Sequence, residues 1–183
     1  LVTTILKMYF NGDDLEGDTG IMYCIISQLK LKSGTARKKL CSEGASVLYG
    51  QTFRGFLKYD KNGKKVLRKR ISKRLFETTL KTDYPELSKV FEEYRDLYFP
   101  DFKFNNVMIN KNYPVPRHKD ASNVGKSVLL TFGDYTGGET KIEFGCDMCI
   151  NTNCNPCIFD GSKYYHSVLP FKGERYALVF FYQ

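Results

Sequence analysis

No stretch of this sequence approaches the roughly 18 consecutive apolar residues of a membrane-spanning helix. No membrane-spanning helix is therefore expected within these residues. The opening segment, LVTTILKMYFNGDDLEG, has no basic run followed by a long apolar one, so it carries no mark of a secretion signal. Internal repeats, low-complexity tracts and linkers are also missing. Cysteine is unevenly placed: Cys24 and Cys41 are solitary, while Cys146, Cys149, Cys154 and Cys157 cluster. A secreted disulfide framework spreads its cysteines, so this pattern favours a reducing compartment or a metal site. Together these absences predict an intracellular, non-secreted protein with no membrane partner.

What is present suits a globular chain. Its 183 residues, 42% hydrophobic and 15% aromatic, are enough for one buried core and too few for two ordinary domains, which predicts one domain over 1–183. Lys and Arg number 28 against 20 Asp and Glu, a net charge of +8. That balance favours approach to a polyanion such as nucleic acid, although a solvated lysine-rich surface gives the same total.

Residues 1–60 alternate short apolar runs (21–26, 46–49, 52–59) with Gly and Asp clusters, and read as strands and loops. After a turn at Asp60-Lys61-Asn62-Gly63, the segment KKVLRKRISKRLFETTL is a helical candidate. A second helix has stronger signals. Asp83 is placed to cap it, Glu86 sits three residues on as in a capping box, and Pro85 lies in the first turn. Leu87, Val90, Phe91, Tyr94, Leu97 and Tyr98 then recur at helical spacing until Pro100. From residue 102 the texture is β: FKFNNVMINKNY, KSVLLTFGDY, ETKIEF, CIFDG, YYHSVLPF and RYALVFFYQ are separated by Gly, Asn, Asp and Pro. Six or more such strands suggest a sandwich or jelly-roll barrel with the helices against one face. The division expected is 1–101 for N-terminal strands and supporting helices, and 102–183 for the barrel.

The chain has only two histidines. His118 lies in PRHKDASN with Asp120 two positions on, and His166 lies in FDGSKYYHSVLPF. Residues i and i+2 of a strand share a face, so His118 and Asp120 present an imidazole and a carboxylate together, and a neighbouring strand can bring His166. Two histidines and one carboxylate on one face of a metal are the triad of non-haem Fe(II) oxygenases, which leaves positions open for a cosubstrate and O₂. A chelating 2-oxo acid needs its far carboxylate neutralised, and Arg175, in GERYALVFF, offers the bidentate guanidinium for it. A lone HxD pair is commonplace. The combination with a distal His, a following Arg and a β-rich setting is specific.

On these residues the segment from about Asn106 to Phe181 resembles the Fe(II)/2-oxoglutarate-dependent oxygenases of double-stranded β-helix fold. HKD stands as the HxD motif, His166 as the distal ligand and Arg175 as the 2-oxoglutarate arginine. More narrowly, HKDASNVGKSVLLTFGDYTGGE and FDGSKYYHSVLPFKGERYALVFF look like the TET and base-J-binding-protein (thymidine hydroxylase) branch with its algal, protist and viral relatives. The resemblance implies an α+β protein with a jelly-roll, cupin-like core, Fe(II) and 2-oxoglutarate as cofactor and cosubstrate, and hydroxylation of a nucleic-acid base or its methyl group. The AlkB-like demethylases carry a second arginine six residues after the first, where this chain has Phe181. Prolyl hydroxylases usually offer Lys in the place of Arg175. By the resemblance and by strand position, Tyr113, Asn123 and Ser127 are candidates for contact with 2-oxoglutarate or substrate; packing and turn roles are their alternatives. Gly137 and Gly138 are expected in a tight turn or bulge.

Two further features stand apart. Cys146-x-x-Cys149 and Cys154-x-x-Cys157 have the composition of a tetrathiolate zinc site, but four intervening residues make a short link, so unligated thiols remain the alternative. Between Lys58 and Arg74 nine of seventeen residues are Lys or Arg, flanked by Phe53, Phe56, Tyr59 and Phe76. This run is the candidate phosphate-contacting surface, against the alternative of a solvated face. Two rival functions remain: hydroxylation of a protein side chain of the prolyl or lysyl type, and a catalytically silent β-barrel that only binds nucleic acid.

Overall fold

The computed structural model describes residues 10, 12–34, 41, 43–59, 62 and 65–183, and of 53–59 and 65–74 it describes the backbone. The elements in chain order are α1 (Leu15–Ser27), β1 (Ala45–Tyr59), β2 (Lys65–Glu77), α2 (Thr79–Asp83), α3 (Leu87–Tyr98), β3 (Asn106–Lys111), β4 (Ser127–Phe132), β5 (Tyr135–Gly137), β6 (Thr140–Phe144), β7 (Cys146–Ile150), β8 (Cys157–Phe159), β9 (His166–Val168), β10 (Phe171–Gly173) and β11 (Tyr176–Phe181). A six-stranded sheet runs β2-β1-β3-β11-β4-β8, a three-stranded sheet runs β7-β6-β9, and β10 pairs with β5. Every named strand pair is antiparallel. This is the α+β double-stranded β-helix that the sequence resemblance implies. No helix among the described residues is long and apolar enough to cross a membrane.

Strand alternation divides the large sheet into two working faces. Val107 and Ile109 of β3, Val128, Leu130 and Phe132 of β4, and Tyr176, Leu178 and Phe180 of β11 are buried together with α1 and α3. The register supports this, since Leu178 pairs with both Ile109 and Leu130, and Phe180 with both Val107 and Val128. The intervening residues, Met108, Asn110, Leu129, Ala177 and Val179, point the other way and line a cavity. Because both faces are covered, β4 reads SVLLTF and is buried throughout, as a strand between two layers must be. Each large apolar side chain so buried contributes about 1.5–3 kcal/mol.

The helix α3 buries Leu87, Val90, Phe91 and Tyr94, which is the predicted stripe; Leu97 is exposed instead. Phe91 meets Tyr49 and Phe180 edge-on at 5.2 and 5.7 Å. Its expected capping box is not formed. Asp83 ends α2, which is capped by Thr78, and Glu86 precedes α3 without a side-chain cap bond. Two further expectations are corrected. The segment 64–80 is a strand over Lys65–Glu77, because Tyr59 pairs with Lys65 and Phe53 with Leu75, and cross-strand pairing overrides the helix propensity of its straight-chain cations. Within 1–60, residues 15–27 are helical: Asp14 caps the helix by accepting from the Glu16 and Gly17 amides, and Met22, Ile25 and Ile26 form its buried stripe. The side chains of 58–74, and of the flanking Phe53, Phe56 and Tyr59, lie outside the described residues, as does most of the turn at 60–63.

Candidate metal centre

His118 follows a proline-bounded loop and meets the first residue of β9, His166, across an antiparallel bridge. Their backbones exchange two hydrogen bonds of 3.0 Å. Directly opposed residues share a face, so the two imidazoles lie side by side, with ring centroids 4.2 Å apart. Asp120 then returns to the same face, and its amide donates to the Gly161 carbonyl at 2.9 Å. The ligand-type atoms of His118, Asp120 and His166 all lie within 4.8 Å of one another. His118 Nε2 is 3.3 Å from Asp120 Oδ1, and His166 Nε2 is 3.7 Å from Oδ2.

The backbone sets both imidazoles in one tautomer. His118 Nδ1 faces the Pro116 carbonyl at 2.9 Å, and His166 Nδ1 faces the Tyr164 carbonyl at 3.1 Å. A carbonyl accepts only, so each Nδ1 holds a proton, which leaves Nε2, on the Asp120 side, as the nitrogen a metal would take up. The Asp120 carboxylate raises the pKa of His118, whereas burial lowers that of His166. Phe159 packs edge-on against His166 at 4.9 Å. Gly161 is required by space: a Cβ there would stand 2.6 Å from Asp120 Oδ2 and 3.2 Å from His166 Cε1.

Arg175 immediately precedes β11 and is only 2% exposed. Its amide donates to the Asn112 side chain, and its carbonyl accepts from the Asn112 amide, each at 2.8 Å. The guanidinium carbon sits 5.5 Å from the Tyr135 ring and 5.6 Å from Phe171. Gly138, at φ +74, lets it pass, because a Cβ there would lie 3.0 Å from Arg175 Nε. Burial lowers the Arg175 pKa, but a guanidinium stays charged in proteins. Its Nε and Nη2 have no hydrogen-bond partner, and neither have the buried Asn110 Oδ1 and Thr140 Oγ1. All three residues line the same cavity of about 870 Å³ as His118, Asp120 and His166. The buried Arg175 cation and the Thr140 hydroxyl, which can donate, fit a small chelating anion beside the metal-type triad; Asn110 Oδ1 accepts only and calls for a donor.

The other expected site residues divide. Tyr113 is buried and lines the cavity. Asn123 lines it as well, but its amide donates to Asp120 Oδ2 at 3.2 Å and to Ser127 Oγ at 3.3 Å, so it braces a ligand residue. Ser127 is fully buried behind it and is absent from the cavity wall. Gly137, the last residue of β5, and Gly138 after it both take positive φ. The four clustered cysteines do not gather. Among the described residues His118, Asp120 and His166 alone form a group of three ligand-type side chains, so nothing there supports the zinc alternative over unligated thiols. Cys146 and Cys149 are exposed on β7, Cys154 packs against the core, and Cys157 pairs with Leu129 in the large sheet. Burial raises the thiol pKa of Cys154 and Cys157, which disfavours the thiolate that zinc requires. Asn110, Thr140, Tyr135 and Phe171 were not singled out in the sequence; the signal for the first two was a polar residue at an inward position of an apolar strand.

No protein-family model and no curated protein sequence matches the chain. Solved structures do. An oxidoreductase of the 2OG-Fe(II) oxygenase family from Burkholderia pseudomallei overlays 98% of this chain and 86% of its own, at TM-score 0.57 and 15% identity. NgTET1 in complex with 5mC DNA matches 75% of this chain at TM-score 0.48 and 16% identity, and this chain spans 60% of its length. A Pseudomonas putida prolyl-4-hydroxylase matches all of this chain and 96% of its own, at TM-score 0.47 and 12% identity. The first of these shows that the chain has the fold of a 2OG-Fe(II) oxygenase.

Proposed function

We propose that this chain is an Fe(II)- and 2-oxoglutarate-dependent oxygenase that oxidises a nucleic-acid base or the methyl group on one. A single observation carries the oxygenase reading: the buried Arg175 guanidinium, with two unpartnered nitrogens, lines the same cavity as the His118, Asp120 and His166 triad. His118, Asp120 and His166 hold the iron through Nε2, one carboxylate oxygen and Nε2. Arg175 would pair with the far carboxylate of 2-oxoglutarate and the Thr140 hydroxyl would donate to it, with Asn110 in the same cavity wall. With both bound, the metal and cosubstrate would supply, with O₂ as the oxidant, oxidative decarboxylation to succinate and CO₂ coupled to hydroxylation of a C–H bond, one oxygen atom going to succinate and the other to the substrate. The apolar walls, among them Leu129, Val168 and Ala177, keep water from this region and strengthen the charge pairing inside it. Support for nucleic acid comes from the net charge of +8, the basic run 58–74 and the sequence resemblance to the thymidine-hydroxylase branch.

The test is calorimetric titration of 2-oxoglutarate into Mn(II)-loaded protein. Wild type is expected to bind. Asp120→Ala abolishes binding through loss of the metal, and Arg175→Met weakens it about 10- to 100-fold, the loss of charge-assisted hydrogen bonds worth about 1.5–3 kcal/mol. Unaltered affinity in both variants would refute the site.

A further inference from the structure

Resting on the nucleic-acid reading above, we infer that the β6–β7 hairpin beside the metal centre is a stacking surface for unpaired bases of a single-stranded nucleic acid. The register places it. Ile142 of β6 pairs with His166 on one side and with Met148 of β7 on the other, so Met148 and the metal-site histidine stand in one row on one face. Two residues farther along the strand, Phe144 returns to that face and meets Tyr164, with ring centroids 4.3 Å apart. Phe144 is 53% exposed and Met148 45%, and neither belongs to the hydrophobic core. Exposed apolar residues in a contiguous row leading to a site mark an interaction surface.

The reverse face of the same strands carries the cations that a phosphate backbone passing around the hairpin would meet. The Arg117 guanidinium lies 3.6 Å from the centre of the Tyr165 ring, and Lys119 Nζ lies 4.6 Å from it. Carboxylates on these strands and the adjoining turn are each taken up by a cation: Glu143 by Arg117 at 2.7 and 2.6 Å, Asp147 by Lys141 at 2.6 Å, and Asp160 by Lys163 at 3.2 Å. Lys119 is left over, with a ring and, among the described residues, no carboxylate as partner. Rings open to solvent, neutralised carboxylates and a surplus cation on a chain of charge +8 complement a strand of bases and phosphates. A duplex, whose bases are already stacked, offers no such faces.

The chain has no tryptophan, so Phe144→Trp introduces one fluorophore at the surface while retaining a stacking ring. The experiment uses the whole chain free of metal, so that it reads binding apart from turnover, and a fluorescein-labelled oligothymidylate followed by anisotropy. Single-stranded oligothymidylate is expected to bind, and its unlabelled form to quench the emission of the introduced indole in Phe144→Trp. Phe144→Ala should weaken binding about 10- to 100-fold, with the circular dichroism and melting temperature of wild type, and Phe144→Trp should retain it. Equal affinity of Phe144→Ala and wild type, or no quenching in Phe144→Trp, would overturn the surface even if oligonucleotides still stimulate turnover. Retained strand binding without any turnover on oligonucleotides would refute the substrate reading and leave the surface. Preference for a labelled apolar peptide over the strand would make this a protein-docking face and overturn the proposal.

Discussion

Asp120 is held on two sides. The Gly161 carbonyl fixes its backbone, and the Asn123 amide occupies Oδ2, which leaves Oδ1 the oxygen nearer His118. A carboxylate whose second oxygen is bonded to an amide presents the first in one orientation, and partners of this kind typically govern metal affinity by about 10- to 100-fold. Asn123→Ala should therefore weaken Mn(II) affinity by at least about 10-fold. Metal titration of a variant that melts like wild type reads this directly, and unchanged affinity would show that the contact is idle. The candidate triad was legible in the sequence, because the chain offers two histidines and one of them sits two positions from Asp120, and the structure brings the three side chains together. The role of Asn123 was not. Proximity to the HxD motif suggested a ligand contact, and only the folded loop shows that its amide turns back onto Asp120.

At the scale of elements, the β-rich half was readable because its strands alternate and are punctuated by Gly, Asn and Pro; β3, β4, β6, β8, β9 and β11 each fall inside an expected segment. The N-terminal half was not. The run IMYCII is apolar at every position, so its helical stripe of Met22, Ile25 and Ile26 is hidden among β-branched neighbours. The cationic strand β2 has residues that favour helices, and its β character comes from pairing with β1, a long-range fact no local window contains. Helix α1 is tied to the turn before β11 by Tyr23, which donates to Glu174 at 2.9 Å, while Lys111 pairs with the same carboxylate at 2.9 Å. The Lys111 ammonium, and then the Tyr23 hydroxyl, hold the Glu174 pKa below its ordinary value of 4.5. A carboxyl depressed in the folded state stabilises above its unfolded pKa, and that contribution is lost as pH falls through the folded value. Stability should thus drop on acidification below about 4.5, and Glu174→Gln should flatten that part of the curve. The side chain is 39% exposed, so the effect should stay within about 1 kcal/mol. Melting temperature against pH for the two proteins checks the sign; parallel curves would contradict it.

Over the whole molecule, one large sheet carries both tasks. Its outer face is buried by α1 and α3, and its inner face supplies Asn110, Leu129 and Ala177 to the cavity, with Arg175 just ahead of β11. The small sheet brings Thr140 and His166 across from the other side. Stability and chemistry are thereby separated by strand alternation, so the orphaned groups of the inner face can be kept without weakening the core. The proposed activity turns on a small dianion held in this cavity. It is tested most directly by succinate formation from 2-oxoglutarate with anaerobically Fe(II)-loaded protein exposed to O₂, in the presence of single-stranded oligonucleotides with and without methylated bases, or of peptides. The account predicts Fe(II)-dependent succinate that rises with the oligonucleotide and disappears in Asp120→Ala. No succinate under any addition, from protein with iron verifiably bound, would contradict it.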